Sequence, residues 1–225
     1  MTESSRIVST TLLALAASAP ALEGQATPDL LLRAADKYEQ LDGLCADFRQ
    51  RLEVPLLDTE VPSRGRLCSK QPAYFRMDFE EPSGDAIVAD GEHLWVYFPS
   101  SQPGQVLRSP LGAGAEVDFT REFLSDPGVK YEATDEGTEV LQGRTTHRYL
   151  LDPVATGLGY TMAKVWIDTE LALIRQVEIH QDNGSIRHVT LSEIDLAPGM
   201  TAAEFSFDAP SDVHVVSIGE GALER

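Results

Sequence analysis

The most distinctive hydrophobic pattern of this chain lies in residues 72–99, where a turn at Asp90-Gly91 separates two strongly apolar stretches. Residues 75–79 (FRMDF) alternate between apolar and polar side chains, which is the period of a strand with one apolar face. Residues 94–98 (LWVYF) are apolar on both faces. Because a sheet in water needs only one apolar face, the second stretch predicts apolar cover on each side: a core, a lid or a ligand.

One amphipathic helix is predicted near the start of the chain. An apolar stripe with spacings of three and four residues runs through residues 31–41. Thr27 can cap this helix, and Pro28 suits its first turn. We expect Gly43 to end it.

The rest of the sequence predicts mainly strands. Alternating or β-rich segments occur at residues 44–54, 64–70, 73–80, 85–90, 93–98, 129–134, 138–142, 144–151, 162–168, 171–181 and 185–195. A short helix is predicted over Asp118–Ser125, stopped by Pro127, and a turn over Thr201–Glu204. We therefore predict a mainly β fold with a few helices (α+β). Its antiparallel sheet follows sequential hairpins and curls so that helices cover its concave face.

Asn183-Gly184 predicts a two-residue hairpin turn between the last two long strands. Such a turn pairs position 180 with 187 and position 179 with 188. His180 and His188 would then face opposite sides of the sheet, so we do not expect them to share a metal ion.

The two cysteines are predicted to lie on neighbouring antiparallel strands. Cys45 falls on the polar face of strand 44–54 and Cys68 on the polar face of strand 64–70. A cross-strand disulfide is expected in an oxidising compartment, where it would stabilise the fold by roughly 3 kcal/mol. Two free thiols are the alternative.

The N-terminus predicts export. A short apolar run over residues 7–19 follows Arg6, and Gly24-Gln25-Ala26 offers a cleavage site. We expect residues 1–26 to be a signal peptide and residues 27–225 to form a single exported, soluble domain; a disordered N-terminal tail is the alternative. The run is shorter than the roughly 20 residues of a membrane span.

Charge and motifs exclude several functions. The formal net charge is −18 at pH 7, which repels phosphates, so we expect neither nucleic-acid binding nor electrostatic adsorption to membranes. The sequence has no GxSxG, HExxH, P-loop or GxGxxG motif, and its histidines lack metal-ligand spacing. We expect no enzymatic activity, no cofactor, no catalytic residue and no metal site.

A series of short motifs resembles the outer-membrane lipoprotein carrier (LolA-like) family. They follow in order through the chain: Phe48-Arg49-Gln50, Gly65-Arg66-Leu67, Pro72-Ala73-Tyr74-Phe75-Arg76, Pro82, Asp90-Gly91, Leu94-Trp95-Val96-Tyr97, Phe98-Pro99, Gln105-Val106, and Phe205-Ser206-Phe207 with Pro210 and Val213. The sequence departs from some members at Gln71, where those have Arg before the proline. A gating role of that arginine cannot be transferred.

The resemblance implies an unclosed β-barrel, lidded by helices, with an apolar cavity. Such proteins carry acylated lipoproteins from an inner-membrane ABC exporter to an outer-membrane acceptor, and we expect a monomer that does the same. Moving an acyl chain of about 16 carbons through water costs on the order of 12 kcal/mol, which an apolar pocket offsets.

The residues expected to line that cavity are the apolar ones on the inward face of the predicted strands. They are Phe48, Leu52, Phe75, Met77, Phe79, Leu94, Val96, Val165, Ile167, Val177, Ile179, Val189 and Leu191. For each of them cavity lining and ordinary core are both open, and Phe75 is the first choice because it matches a family motif.

Three classes of function are compatible with the sequence. The first is a soluble carrier of lipoproteins or lipids. The second is a periplasmic sensor or regulator that binds lipids or lipidated partners on the same fold without transport. The third is a periplasmic hydrolase with an unrecognised site.

Overall fold

Twelve strands form a single sheet in the computed structural model, which describes residues 27–111 and 118–219. The strands are β1 (Gly43–Val54), β2 (Thr59–Lys70), β3 (Tyr74–Glu81), β4 (Ala86–Asp90), β5 (His93–Tyr97), β6 (Gln105–Pro110), β7 (Tyr131–Leu141), β8 (Arg144–Pro153), β9 (Tyr160–Asp168), β10 (Ile174–Gln181), β11 (Ile186–Asp195) and β12 (His214–Ser217). The described helices are α1 (Asp29–Gln40), α2 (Phe119–Glu122) and α3 (Pro127–Lys130), with short 3₁₀ turns at Pro55–Leu57 and Ala202–Phe205.

The sheet follows sequential hairpins and does not close. Its strand order is β12-β6-β5-β4-β3-β2-β1-β11-β10-β9-β8-β7, so β12 and β7 are the edges. All neighbours pair antiparallel except β12 and β6, which are parallel. The predicted fold class, a curled and unclosed sheet with helices, is confirmed; the parallel edge strand is an addition to it.

The concave face of the sheet carries the main core. Register places Phe48 of β1 opposite Leu191 of β11 and Met77 of β3 opposite Leu67 of β2, and all four side chains are buried. Each such side chain stabilises the fold by about 1.5–3 kcal/mol relative to exposure. The core therefore runs across the middle of the sheet.

Helix α1 packs its apolar stripe onto this core, as predicted. Leu31 and Ala34 are fully buried, and the Tyr38 hydroxyl accepts a hydrogen bond from the Ile174 backbone N–H at 3.1 Å. The helix ends were predicted wrongly. Pro28 is the N-cap and makes no side-chain capping hydrogen bond, so Thr27 does not cap the helix. The helix ends before Leu41, whose backbone is extended, and Gly43 is the first residue of β1 rather than the end of the helix.

Several further elements differ from the sequence expectation. The predicted helix 118–125 is shorter, with the Asp118 carboxylate capping α2 by accepting from the Thr120 N–H at 3.0 Å. Helix α3 replaces the start of the strand predicted at 129–134. Strand β7 then runs through the break predicted between residues 134 and 138. Strand β2 begins at Thr59, and β6 and β12 were not predicted at all.

The β10–β11 hairpin corrects the histidine prediction. Gln181 lies opposite Ser185 through a 2.9 Å backbone hydrogen bond, so the loop has three residues rather than two. Asn183 accepts the Ser185 N–H through its side chain, and Gly184 has φ 82°, which are features of the longer hairpin turn. Glu178 consequently pairs with His188, and His180 shares its face with both.

The convex face is polar but partly covered. Cys45 and Cys68 are directly opposite in the β1–β2 register and form a disulfide. Both are buried, because Phe205 and Met200 of the C-terminal segment pack over them. This second, smaller core means that the face predicted to be polar is not fully open to water.

Residues 1–26, the predicted signal peptide, lie outside the described residues. Among the helices that are described, none has the length and apolar character needed to cross a membrane.

Candidate ligand-binding site

A large cavity lies between the concave face of the sheet and the segment that contains α2 and α3. Its volume is about 1040 Å³, just above the range of roughly 300–1,000 Å³ typical of small-molecule sites. Apolar side chains from the sheet and from the helical segment line it. Among them are Phe75, Ala89, Leu111, Phe119, Phe123 and Ile179. The cavity can therefore receive an apolar ligand of substantial size.

A buried polar network holds the helical segment against the sheet. The Glu122 carboxylate of α2 accepts hydrogen bonds from the Tyr160 hydroxyl at 2.6 Å and the Tyr131 hydroxyl at 2.9 Å. Lys130 of α3 lies 3.1 Å from the other oxygen of Glu122. Burial, the Tyr160 hydrogen bond and the Glu122 charge raise the pKa of Tyr131, so that hydroxyl stays protonated. One carboxylate thus ties α2 to β7, β9 and α3.

Arg187 of β11 is the unusual polar residue of the cavity wall. Register places it opposite Leu52 of β1 and Ile179 of β10. It therefore points to the same concave side as Val189, two residues further along. Its Nε is buried and has no hydrogen-bond partner among the described residues. Burial lowers the pKa of the Arg187 guanidinium.

Gln71 ties the turn between β2 and β3 to the end of helix α1. Its side-chain amide donates to the backbone carbonyl oxygen of Glu39 at 2.8 Å and to that of Leu41 at 3.1 Å. These carbonyls belong to the helix terminus, where intrahelical partners are missing. The position that departs from the family motif therefore anchors α1 directly.

The structure separates the sequence-predicted cavity residues into three groups. Phe75 and Ile179 line the cavity. Leu94 is buried elsewhere, while Leu52 and Val96 are half-buried; none of these three lines the cavity. The remaining eight belong to the continuous core: Phe48, Met77, Phe79, Val165, Ile167, Val177, Val189 and Leu191. The strand pattern identified their common face, but it does not distinguish close packing from an opening.

Sequence reasoning missed most of the actual lining. Phe119 and Phe123 lie in and just after the short helix α2, and Tyr160 starts β9 just after a glycine-containing loop. A signal was present for Arg187, since it falls in phase with Val189 and Leu191 on an otherwise apolar face. The sequence also predicted a helix over Asp118–Ser125, but one helical turn carries too little periodicity to indicate that Phe119 and Phe123 face the cavity.

The histidines of the hairpin contact glutamate side chains in a cluster on the convex face. His180 Nε2 lies 2.7 Å from Glu178 Oε1, and His188 Nε2 lies 3.1 Å from Glu53 Oε1. Lys164 approaches Glu178 to 3.5 Å. Within residues 27–111 and 118–219, no three His, Cys, Asp or Glu side chains are arranged to hold a metal ion.

Comparison with known proteins gives a consistent result. Residues 39–208 match the family model described as "Outer membrane lipoprotein carrier protein LolA". The outer-membrane lipoprotein carrier protein of Haemophilus ducreyi is 27% identical over 184 residues, which cover 80% of each chain. The protein of the same description from Bordetella avium is 25% identical over 221 residues, covering 92% of this chain and 95% of the relative.

The fold is also similar to a solved structure. The crystal structure of an uncharacterized conserved protein from Thermus thermophilus aligns with a TM-score of 0.53 at 15% identity. The alignment covers 84% of this chain and 97% of that one. At this identity the likeness concerns the fold alone.

Proposed function

This chain belongs to the LolA family of outer membrane lipoprotein carrier proteins, and from that premise we propose that it is a periplasmic lipoprotein carrier. In this proposal it binds the acyl chains of lipoproteins in the cavity and ferries them from the inner to the outer membrane. The observation that supports it most is the cavity of about 1040 Å³, which is lined by apolar side chains of the sheet and of the segment at α2.

The energetics favour a cavity of this kind. Each methylene transferred from water to an apolar site gains about 0.8 kcal/mol, so an acyl chain needs continuous apolar cover. Phe75 and Ala89 supply such cover from the sheet, and Phe119 and Phe123 supply it from the opposite side. Binding and release need no covalent step, and we propose that the protein has no catalytic activity or cofactor.

The proposal includes the compartment and the partners. Residues 1–26 would direct export, and residues 27–225 would act as one soluble domain. An inner-membrane ABC exporter would deliver acylated lipoproteins, and an outer-membrane acceptor would receive them. We propose that the carrier works as a monomer.

A lipoprotein release assay tests the proposal. Spheroplasts that retain a labelled lipoprotein in the inner membrane are incubated with the full exported chain, and the lipoprotein in the soluble fraction is counted. We expect a soluble complex. Ile179→Trp should reduce its yield on the order of tenfold, because the larger ring displaces about two ligand methylenes at 0.8 kcal/mol each. Ile179 is suitable because it lines the cavity and is only half-buried.

Val140→Trp is the matched control. Val140 lies on edge strand β7, is 71% exposed and does not line the cavity, so this variant should release lipoprotein like the native chain. Failure of the folded native chain to release any lipoprotein would contradict transport. If it then still bound lipid, a sensor on the same fold would be the better description.

A further inference from the structure

Arg187 is the exception among the cationic side chains that line the cavity. The others are paired with opposite charges: Lys70 with Asp42, Arg121 with Asp118 at 3.3 Å, and Lys130 with Glu122 at 3.1 Å. Among the described residues Arg187 has no acidic partner, and its Nε meets no acceptor. Arg187 is therefore the one cationic side chain of the described cavity lining that lacks an acidic partner.

The Arg187 side chain is partly buried and its Nε is fully buried, and removing an unpaired guanidinium from water is costly. Arginine does not give up its proton in proteins, so it cannot escape the cost by becoming neutral. A buried charge without a partner is destabilising, and paired or hydrogen-bonded arrangements are the rule. Leu52 and Ile179 beside it offer no side-chain acceptor. The missing acceptor is therefore most simply supplied from within the cavity, by a ligand.

We propose that the cavity binds amphiphiles with an anionic headgroup, carboxylate or phosphate, and that Arg187 is the headgroup receptor. The planar guanidinium suits either anion because it offers two parallel N–H donors. This inference rests on the proposed function in one respect, the use of the cavity for acyl chains. It adds a ligand class, since the fully acylated N-terminus of a lipoprotein carries no charge for Arg187 to bind.

The strand register gives the ligand a direction. Along β1, Leu52 is opposite Arg187, whereas Leu44, near the other end, is opposite Ser69, which in turn pairs with Phe75. Arg187 and Phe75 therefore belong to opposite ends of the paired strands, yet both line the one cavity. A headgroup at Arg187 would leave its alkyl chain to extend toward Phe75.

Acidic groups of the same cavity do not contradict this direction. Asp118 caps α2 and contacts Arg121, and Glu122 accepts from two tyrosine hydroxyls and lies beside Lys130. Both carboxylates are thus neutralised by their own partners. Their charge is compensated locally, whereas that of Arg187 is not.

Three ligands with one alkyl chain test the proposal: laurate, lauryl phosphate and dodecanol. Each displaces the neutral fluorescent probe 1-N-phenylnaphthylamine from the full exported chain at pH 8. We expect at least one of the two anions to bind on the order of 10- to 100-fold more tightly than dodecanol, as for hydrogen bonds to charged groups. Comparison of laurate with lauryl phosphate identifies the preferred headgroup.

Variants assign the preference to Arg187. Arg187→Gln should abolish it, so that the affinity for the preferred anion falls to that for dodecanol, while Arg187→Lys should retain part of it. Arg49→Gln is the matched control, because Arg49 lies on the convex face of the neighbouring strand and is exposed. Melting temperatures should not fall in Arg187→Gln, since the substitution removes an unpaired charge.

The outcomes separate this inference from carrier function. Equal affinity for all three ligands, or a preference that survives in Arg187→Gln, would overturn the anion receptor and leave the acyl cavity intact. If neither the probe nor any of the three ligands bound to the folded native chain, the acyl cavity itself would be refuted together with the receptor.

Discussion

At the scale of single residues, Asp168 shows how a buried charge is satisfied in this fold. Its carboxylate is 1% exposed and accepts from the Arg144 guanidinium, from Arg175 at 3.2 Å and from the Leu171 N–H at 2.9 Å. Burial alone would raise the pKa of Asp168, but the hydrogen bonds from Arg144 and from the Leu171 N–H hold that pKa below its usual value. The contrast with Arg187 is direct: the charge of Asp168 is fully partnered and that of Arg187 is not.

This arrangement predicts a pH-dependent stability. Because the folded pKa of Asp168 is depressed, its contribution is present above the unfolded pKa of about 3.9 and is lost as pH falls through the folded value. Asp168→Asn should lower the free energy of unfolding by about 3 kcal/mol at pH 7. The difference from the native chain should shrink near pH 3. Urea denaturation at both pH values measures it.

Asp47→Asn is the control for that experiment. Asp47 pairs with Arg66 at 2.7 Å, but both side chains are about half-exposed. A pair of this kind contributes about 0–1 kcal/mol because water screens it. An Asp168→Asn effect as small as this, or one that does not change with pH, would contradict the role given to Asp168.

At the scale of elements, the C-terminal segment acts as a cover for the convex face. Phe205 is fully buried, its ring centre lies 5.6 Å from that of Tyr74, and it packs on the Cys45–Cys68 disulfide. Arg76 donates to the Ser206 carbonyl oxygen at 3.0 Å and fixes the segment to β3. The segment therefore protects strands that would otherwise expose apolar surface.

Removing the Phe205 ring, which anchors the C-terminal segment, should lower the stability of the fold. Phe205→Ala should lower the free energy of unfolding by about 3–5 kcal/mol, as for other fully buried aromatic side chains. Phe207→Ala should cost less, because Phe207 is only half-buried although its ring centre lies 5.4 Å from that of Trp95. Denaturation curves of the two variants provide the comparison. Equal losses would indicate that Phe205 is not the principal anchor.

The same scale explains which elements the sequence could predict. Strand β3 was predictable because alternation over residues 75–79 is a local signal. Strand β12 has four residues and exists through parallel pairing with β6, which is distant in sequence, so no local pattern indicates it. The predicted register of the β10–β11 hairpin was wrong because a hydrogen bond to the Asn183 side chain favours a three-residue loop over the predicted two-residue turn.

The candidate site was less predictable than the fold for a related reason. Alternation correctly assigned Phe75 and Val177 to one face, and both are buried in the core, yet only Phe75 also lines the cavity. The difference depends on what lies across from each residue, in particular on α2, and strand periodicity carries no information about that distance.

At the scale of the whole molecule, the net charge of the chain and the unpaired charge in the cavity wall have opposite signs. The chain has a formal net charge of −18, while the one unpaired charge in the described cavity wall is the cation of Arg187. An acidic exterior disfavours contact with an anionic bilayer, whereas the interior favours a single anionic amphiphile that has already left it. Ligand transfer would then depend on a partner rather than on adsorption to lipid.

This division predicts an unusual salt dependence. A chain of residues 27–225 should not sediment with phosphatidylglycerol vesicles at low ionic strength, because surface repulsion acts over a Debye length of about 30 Å at 0.01 M salt. Raising the salt to about 1 M shortens that length to about 3 Å, so any weak association should increase rather than decrease. Neutral phosphatidylcholine vesicles serve as the control and should show no such change. Strong association at low salt that high salt abolishes would instead reveal a basic docking face, and would show that the net charge does not govern how this protein meets a membrane.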